Sequence, residues 1–347
     1  MGVFNKIFKS YSEKEVKRIK PIVEKINELE EETSKLTDEQ LRAKTNEFKK
    51  QLEEKHKDLT IATIYSYAPN EEDNSNGILE DEEFETDLLD QSSREFLDFV
   101  IGEYNKIYGV PKDIKIISKL RPNIIEADTK DVNSLIRDEF ESSLKRMGVD
   151  KLNGYLLHTP EYIYNQNILD ALLNLKEEKM VENIGVSIYD LKEGEQAIKT
   201  GIIDYIQLPY SYLDQRGIRT GFIKKAKEHG IKIFTRSAFL QGLVMMEKSR
   251  IPQYLAPAIC NIEKFELITK EFNEDIINAI IHFVTDEADI DYLVFGVDNI
   301  EQLKEDMDAY RNKKINTLLI EQVKQHINML EDNIIFPSLW SNGKKAE

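Results

Sequence analysis

From Pro111 onward the chain alternates short apolar runs with amphipathic stretches. Apolar runs at 114–118, 154–158, 182–187, 203–207, 231–236 and 291–295 have the length and composition of buried strands. Between and after them, apolar residues recur at helical spacing near 131–147, 166–178, 191–200, 216–229, 261–284 and 299–310, and a closing helix follows at 316–330. Crossovers of this length join parallel neighbours, because antiparallel ones need only a tight turn. The alternation therefore predicts an α/β fold with a parallel sheet. Six units at regular spacing, without a Gly-x-Gly-x-x-Gly string, favour a TIM-type (β/α)₈ barrel over a doubly wound sheet. Because such a barrel needs eight units, the expectation is an incomplete one.

The upstream pattern differs. Ser12 to Glu15 and Thr37 to Gln40 are capping boxes, each followed by apolar residues at helical spacing: Val16, Ile19, Val23 and Ile26, then Leu41, Phe48 and Leu52. Residues 1–55 thus predict an amphipathic helical hairpin, too small for an independent core and suited to a docking arm. Val3, Phe4, Ile7 and Phe8, with lysines nearby, are the residues such an arm would present to a partner or a membrane surface. A β-branched and aromatic run at 59–68 predicts a buried strand, and 92–108 a helix. The expected domains are the arm at 1–55, a strand, acidic loop and helix at 56–109, and the barrel portion at 110–347.

Composition narrows the function. The 347 residues carry a net charge of −17, which disfavours a nucleic-acid-binding role. Ten of the acids lie between Asn70 and Asp90, a stretch without Lys or Arg. One cysteine, Cys260, allows no internal disulfide and fits a reducing cytoplasm; it has no histidine partner in sequence and is assigned no chemistry. No apolar run is long enough to span a membrane, and the N-terminus reads neither as a signal peptide nor as a myristoylation site.

Barrel enzymes place their chemistry at the C-terminal ends of the strands. Lys119, His158, Ser187, Gln207 and Arg236 are expected in succession at those ends. The strings Ile116-Ile117-Ser118-Lys119, Tyr155-Leu156-Leu157-His158, Ile184-Gly185-Val186-Ser187, Ile206-Gln207-Leu208-Pro209-Tyr210 and Arg236-Ser237-Ala238-Phe239-Leu240-Gln241-Gly242-Leu243 follow in order. Together they resemble the aldo/keto reductases over roughly 110–340.

That resemblance implies reduction of a small carbonyl substrate by NADPH or NADH. In the family a tyrosine is the general acid, a lysine beside it favours phenolate, an aspartate pairs with the lysine, and a histidine orients the carbonyl. Lys119 matches the lysine and His158 the histidine. The family's Ser-Asn-Gln set for the nicotinamide amide maps to Ser187, Ile188 and Gln207, so Ile188 stands where the family has asparagine. Arg236 maps to the side chain stacked on the nicotinamide, with Ser237 and Phe239 following it. The stretch from Phe295 to Asp306 matches the adenosine-phosphate end, with Gly296, Gln302 and Glu305 as candidates, and Asp298 where many NADPH-binding relatives carry a positive group.

The family's catalytic aspartate and tyrosine belong to an Asp-Thr-Ala-x-x-Tyr-Gly stretch that has no counterpart upstream of Lys119. Residues 1–50 instead resemble the N-terminus of the SecA-type preprotein translocation ATPase, and 58–108 a piece of the motor subunit of type I restriction enzymes. Neither brings its parent's chemistry, since no P-loop string occurs anywhere. The chain reads as a mosaic. The unit at 59–68 and 92–107 is a candidate surrogate barrel unit, with Tyr65 or Tyr67 the nearest phenols to replace the missing acid. His282 is expected to pack within a helix, and Trp340 to seal the barrel end.

Overall fold

A computed structural model describes residues 115–126, 129–296, 300–311 and 314–340, together with 101, 102, 105, 106, 109 and 110. The predicted hairpin, the strand at 59–68 with its two tyrosines, the acidic loop and Asp298 lie outside the described residues.

Six strands form one sheet in sequential order: β1 (Ile117–Leu120), β2 (Gly154–Leu157), β3 (Ile184–Ser187), β4 (Tyr205–Pro209), β5 (Lys232–Arg236) and β6 (Tyr292–Leu293). Every pairing is parallel. Helices α1 (Val132–Met147), α2 (Gln166–Glu177) and α3 (Leu191–Thr200) make the first three crossovers. The fourth contains α4 (Arg216–Arg219) and α5 (Phe222–Glu228), and the fifth α6 (Ile259–Glu271) and α7 (Ile276–Thr285). Then come α8 (Ile300–Arg311), α9 (Thr317–His326) and α10 (Asp332–Ile335).

The helices start where their side chains can occupy orphan amides. Asp131 caps α1 through the Ser134 amide at 2.9 Å. Asp190 and Glu193 form a reciprocal capping box on α3. Two single helices expected from periodicity are each broken in two. The 216–229 stretch divides at Gly221, whose φ of +76° suits glycine. The 261–284 stretch divides at Asn273, left-handed at +52°, after which Asp275 caps α7 by accepting from the Ile277 and Asn278 amides.

Side-chain alternation gives the sheet two different faces. The outer face (Leu120, Tyr155, Leu157, Val186, Ile206, Ile233) joins Ile136, Phe140, Met147, Leu172 and Phe222 of the helices in the largest core cluster. The ring of Phe140 meets Tyr155 edge-on at 4.9 Å. Each such aliphatic or aromatic side chain contributes about 2 kcal/mol on burial. The inner face forms a smaller cluster of Ile117, Leu156, Tyr205, Phe234 and Val294, with Tyr292 packed against it. Residues from the first and last strands share this one cluster, so the sheet curls into a half-barrel. Gly185 is required by that curl, because a β-carbon there would lie 2.4 Å from the Tyr205 carbonyl oxygen and 2.8 Å from its Cβ. A further cluster, including Tyr210, Tyr212, Phe265, Phe283 and Trp340, fills the space between the loops after β4 and β5 and helices α6, α7 and α9.

Candidate active site at the C-terminal ends of the strands

Register places the polar candidates on the curled sheet's inner face. Lys119 pairs with Leu156, so these two share one side. Leu157 pairs with Val186, so the chain leaves β2 at His158 one residue beyond the last paired position, next to the strand that Ser187 closes. Ser187 pairs with Gln207, and Pro209 with Arg236. Below this tier, the aromatic rings of Tyr205 and Phe234 at 5.0 Å, and of Phe234 and Tyr292 at 4.4 Å, make an apolar floor.

Two expectations need correction. Lys119 and Gln207 do not end their strands. The first strand runs from Ile117 to Leu120 and has Lys119 within it, because pairing with β2 starts at Ile117 opposite Gly154. Gln207 is the middle residue of β4, opposite Phe234. Ser187 and Arg236 close β3 and β5 as expected, and His158 directly follows β2. The inward direction of Lys119 and Gln207 is unaffected, since it depends on parity and not on strand length.

The Ser187 hydroxyl donates to Gln207 Oε1 at 3.0 Å, and both residues are buried. A buried hydroxyl–carboxamide pair above an apolar floor is a donor–acceptor set suited to a carboxamide ligand. Ile188 is fully buried and contributes only its backbone: its amide donates to the Gln207 carbonyl at 2.8 Å, and its carbonyl accepts from Arg236 Nη2 at 3.2 Å. The residues present therefore fit a nicotinamide amide through two side chains, with the guanidinium of Arg236 beside them.

Arg236 is held on three sides. Its guanidinium carbon lies 4.0 Å from the centroid of the Tyr189 ring, Nη2 donates to Ile188, and Nη1 meets Ser237 Oγ at 3.4 Å. Ser237 has φ of +65°, an uncommon backbone for serine that turns the chain at the end of β5. Phe239 is half-buried and packs against the cluster around Tyr210 and Trp340. Tyr189 was not foreseen; an aromatic residue two places after a strand-end serine was the only signal for it. Its ring meets Phe336 edge-on at 5.2 Å, and the Arg216 guanidinium lies 4.3 Å from the centroid of Phe336. Arg216 in turn makes a bidentate pair with buried Asp214, both contacts at 2.8 Å.

The candidates for the far end of a nucleotide are separate and exposed. Gly296 follows β6, and Gln302 and Glu305 lie on α8. Buried His282 ties α8 to α7, with Nδ1 3.2 Å from Asp286 Oδ1 and Nε2 3.1 Å from the Ala309 carbonyl oxygen. Trp340 is buried and donates its indole N–H to the Ile334 carbonyl at 3.0 Å. Cys260 is exposed. No helix among the described residues is long and apolar enough to cross a membrane, and no group of metal-ligating side chains occurs among them.

Several described tyrosines are committed elsewhere. Tyr205 lies in the floor, where burial pushes its phenol up to about 12. Tyr155 faces the outer core, and the Tyr162 hydroxyl accepts from the Ile125 amide at 3.1 Å. Tyr210 and Tyr212 are buried in the core beyond the sheet, stacked on Phe283 and Phe265.

A half-barrel of parallel strands with its polar tier at their C-terminal ends is a barrel-enzyme architecture. Residues 92–328, more than half of the chain, match the family model described as the aldo/keto reductase family. The chain belongs to that family. Among solved structures, the holo form of aldo-keto reductase AKR11C1 from Bacillus halodurans superposes with a TM-score of 0.55 at 18% identity, covering 68% of this chain and 80% of that one. The thermostable aldo-keto reductase Tm1743, in complex with the inhibitor epalrestat, gives 0.54 at 17% identity, covering 76% and 93%. At such identities the likeness is one of fold.

Residues 4–89 match a second model, the SecA DEAD-like domain. Protein translocase subunit SecA of Clostridium beijerinckii is 58% identical over 52 residues, and that of Acetivibrio thermocellus 62% over 52. Those segments are 15% of this chain, which spans only 6% of the length of either relative. The two model matches adjoin at residues 89 and 92, within the stretch 58–108 likened above to a restriction-enzyme motor.

Proposed function

We propose that the chain is an oxidoreductase of the aldo/keto reductase type, reducing an aldehyde or ketone with NADPH or NADH. The observation that supports it is the shared inner face of Lys119, Ser187, Gln207 and Arg236, with His158 directly after β2. When bound, the reduced nicotinamide supplies the hydride. Ser187 and Gln207 hold its carboxamide, Arg236 with Ser237 and Phe239 borders its ring, and Gly296, Gln302 and Glu305 meet the adenosine-phosphate end. His158 donates to the carbonyl oxygen and orients it. Lys119 supplies the positive charge that eases proton delivery from a phenol. On this reading the protein works in the cytoplasm, with residues 1–55 as an arm appended to the catalytic portion.

A second reading, a chimeric chain that binds nucleotide without turnover, is favoured by the packing of Tyr155, Tyr205, Tyr210 and Tyr212 in the core clusters, by the bond of Tyr162 to Ile125, and by a SecA-like match where the family's first strands would fall. Loss of a general acid costs about 10²–10⁴ in rate. One paired measurement separates the two: fluorescence titration with NADPH and NADH, then their oxidation on adding a generic aldehyde. Turnover that is abolished in Lys119→Met supports the first reading. Binding without turnover supports the second, and absence of both refutes both.

A further inference from the structure

We propose that Tyr189 is a positioning residue that fixes Arg236 as a flat cationic plate at the mouth of the half-barrel, and that this plate makes the site prefer reduced nicotinamide to oxidised. The inference rests on the cofactor reading above. It goes further by assigning redox-state selectivity to named side chains of this chain.

The guanidinium plane is set by three neighbours. Tyr189 covers one face at 4.0 Å, while Ile188 O and Ser237 Oγ take in-plane N–H groups. Tyr189 is itself held from both ends. Its amide donates to Glu193 of the α3 capping box at 3.3 Å, and its ring abuts Phe336, whose own ring carries the Arg216 guanidinium at 4.3 Å. An arginine restrained in this way is pre-oriented to present its second flat face to a planar ligand. No carboxylate among the described residues pairs with Arg236, unlike Arg216, whose charge is met by Asp214 and Asp332. Among the described residues, the charge of Arg236 therefore has no ion-pair partner.

A neutral, electron-rich dihydronicotinamide can lie against that face without like-charge repulsion. The oxidised ring carries a positive charge, so the same face repels it. The phosphates are common to both forms and cancel in the comparison. Half-exposure of Arg236 weakens the repulsion, and the expected discrimination is about tenfold in Kd. In the reductive direction the plate would also hasten loss of the spent cofactor.

The test is a set of Kd values for the reduced and oxidised members of each pair, NADPH with NADP+ and NADH with NAD+, by calorimetry on the full chain. The wild-type protein should bind the reduced form about tenfold more tightly. Arg236→Gln removes the charge and should bring the ratio close to one. Tyr189→Leu should shrink it, and Tyr189→Phe, which retains the ring, should restore it. A ratio within each pair is insensitive to partial unfolding, which lowers both affinities alike. A wild-type ratio near one, or a ratio unmoved by Arg236→Gln and Tyr189→Leu, overturns the proposal and leaves the cofactor reading standing. Failure of the wild-type protein to bind either form overturns both.

Discussion

Asp306 lies on α8 beside Glu305 and is only 8% exposed. Burial, with a smaller contribution from the Glu305 charge, raises its carboxyl from 3.8 to about 6. A folded-state value above the unfolded one means that the native protein binds the proton more tightly. Below about pH 4 the group is neutral in both states and costs nothing. Above about pH 6 it is ionised in both, and the fold bears the full cost of a poorly solvated charge. Stability should therefore fall as pH rises through the window between those values. The two-unit gap corresponds to at most about 3 kcal/mol. Screening of Glu305 and residual hydration reduce this to about 1–2 kcal/mol. Asp306→Asn keeps the shape and removes the charge, so at pH 7 the variant should be the more stable protein by about that amount, or by about 2–6 °C in Tm for a fold of this size. At pH 4 the two should melt together. Thermal unfolding followed by circular dichroism at several pH values measures the difference, in which every other titrating group cancels. A difference that is flat from pH 4 to pH 7 refutes the assignment of a buried, ionising carboxylate to this helix.

Three other perturbations have defined outcomes. Gly185→Ala drives a β-carbon into the Tyr205 backbone and should cost about 3 kcal/mol in urea unfolding, with weakened nucleotide binding because Ser187 lies two residues on. His282→Leu strands the Ala309 carbonyl and loosens Asp286, so a loss of about 2–3 kcal/mol is expected, with faster amide exchange along α8. Tyr212→Phe should be neutral or stabilising by about 1 kcal/mol, since the buried Tyr212 hydroxyl has no protein partner among the described residues while its ring stack on Phe265 survives the change; a loss greater than that would indicate that the hydroxyl is bonded after all.

The half-barrel was legible because its information is local and periodic. Short apolar runs mark the strands, helical spacing marks the crossovers between them, and the two-residue period of a strand sends Lys119, Ser187, Gln207 and Arg236 inward whatever the exact strand ends. What escaped was set by tertiary contact. The helix breaks at Gly221 and Asn273 depend on left-handed backbone that amphipathic spacing does not encode. The start of β1 depends on its neighbour, through the Asn153 amide and side chain bonded to Ile116. The role of Tyr189 is visible only once Phe336, far along the chain, is folded against it.

The chain holds a single tryptophan, and it is the buried Trp340. This only strong ultraviolet emitter, bonded through its indole to Ile334, lies four residues along the chain from Phe336, which meets Tyr189 edge-on beside Arg236. The molecule thus carries a built-in optical reporter for one corner of its structure. A change in emission wavelength reports wetting of that corner, free of signal from any other indole. Loosening of the C-terminal segment can then be followed in solution without a label.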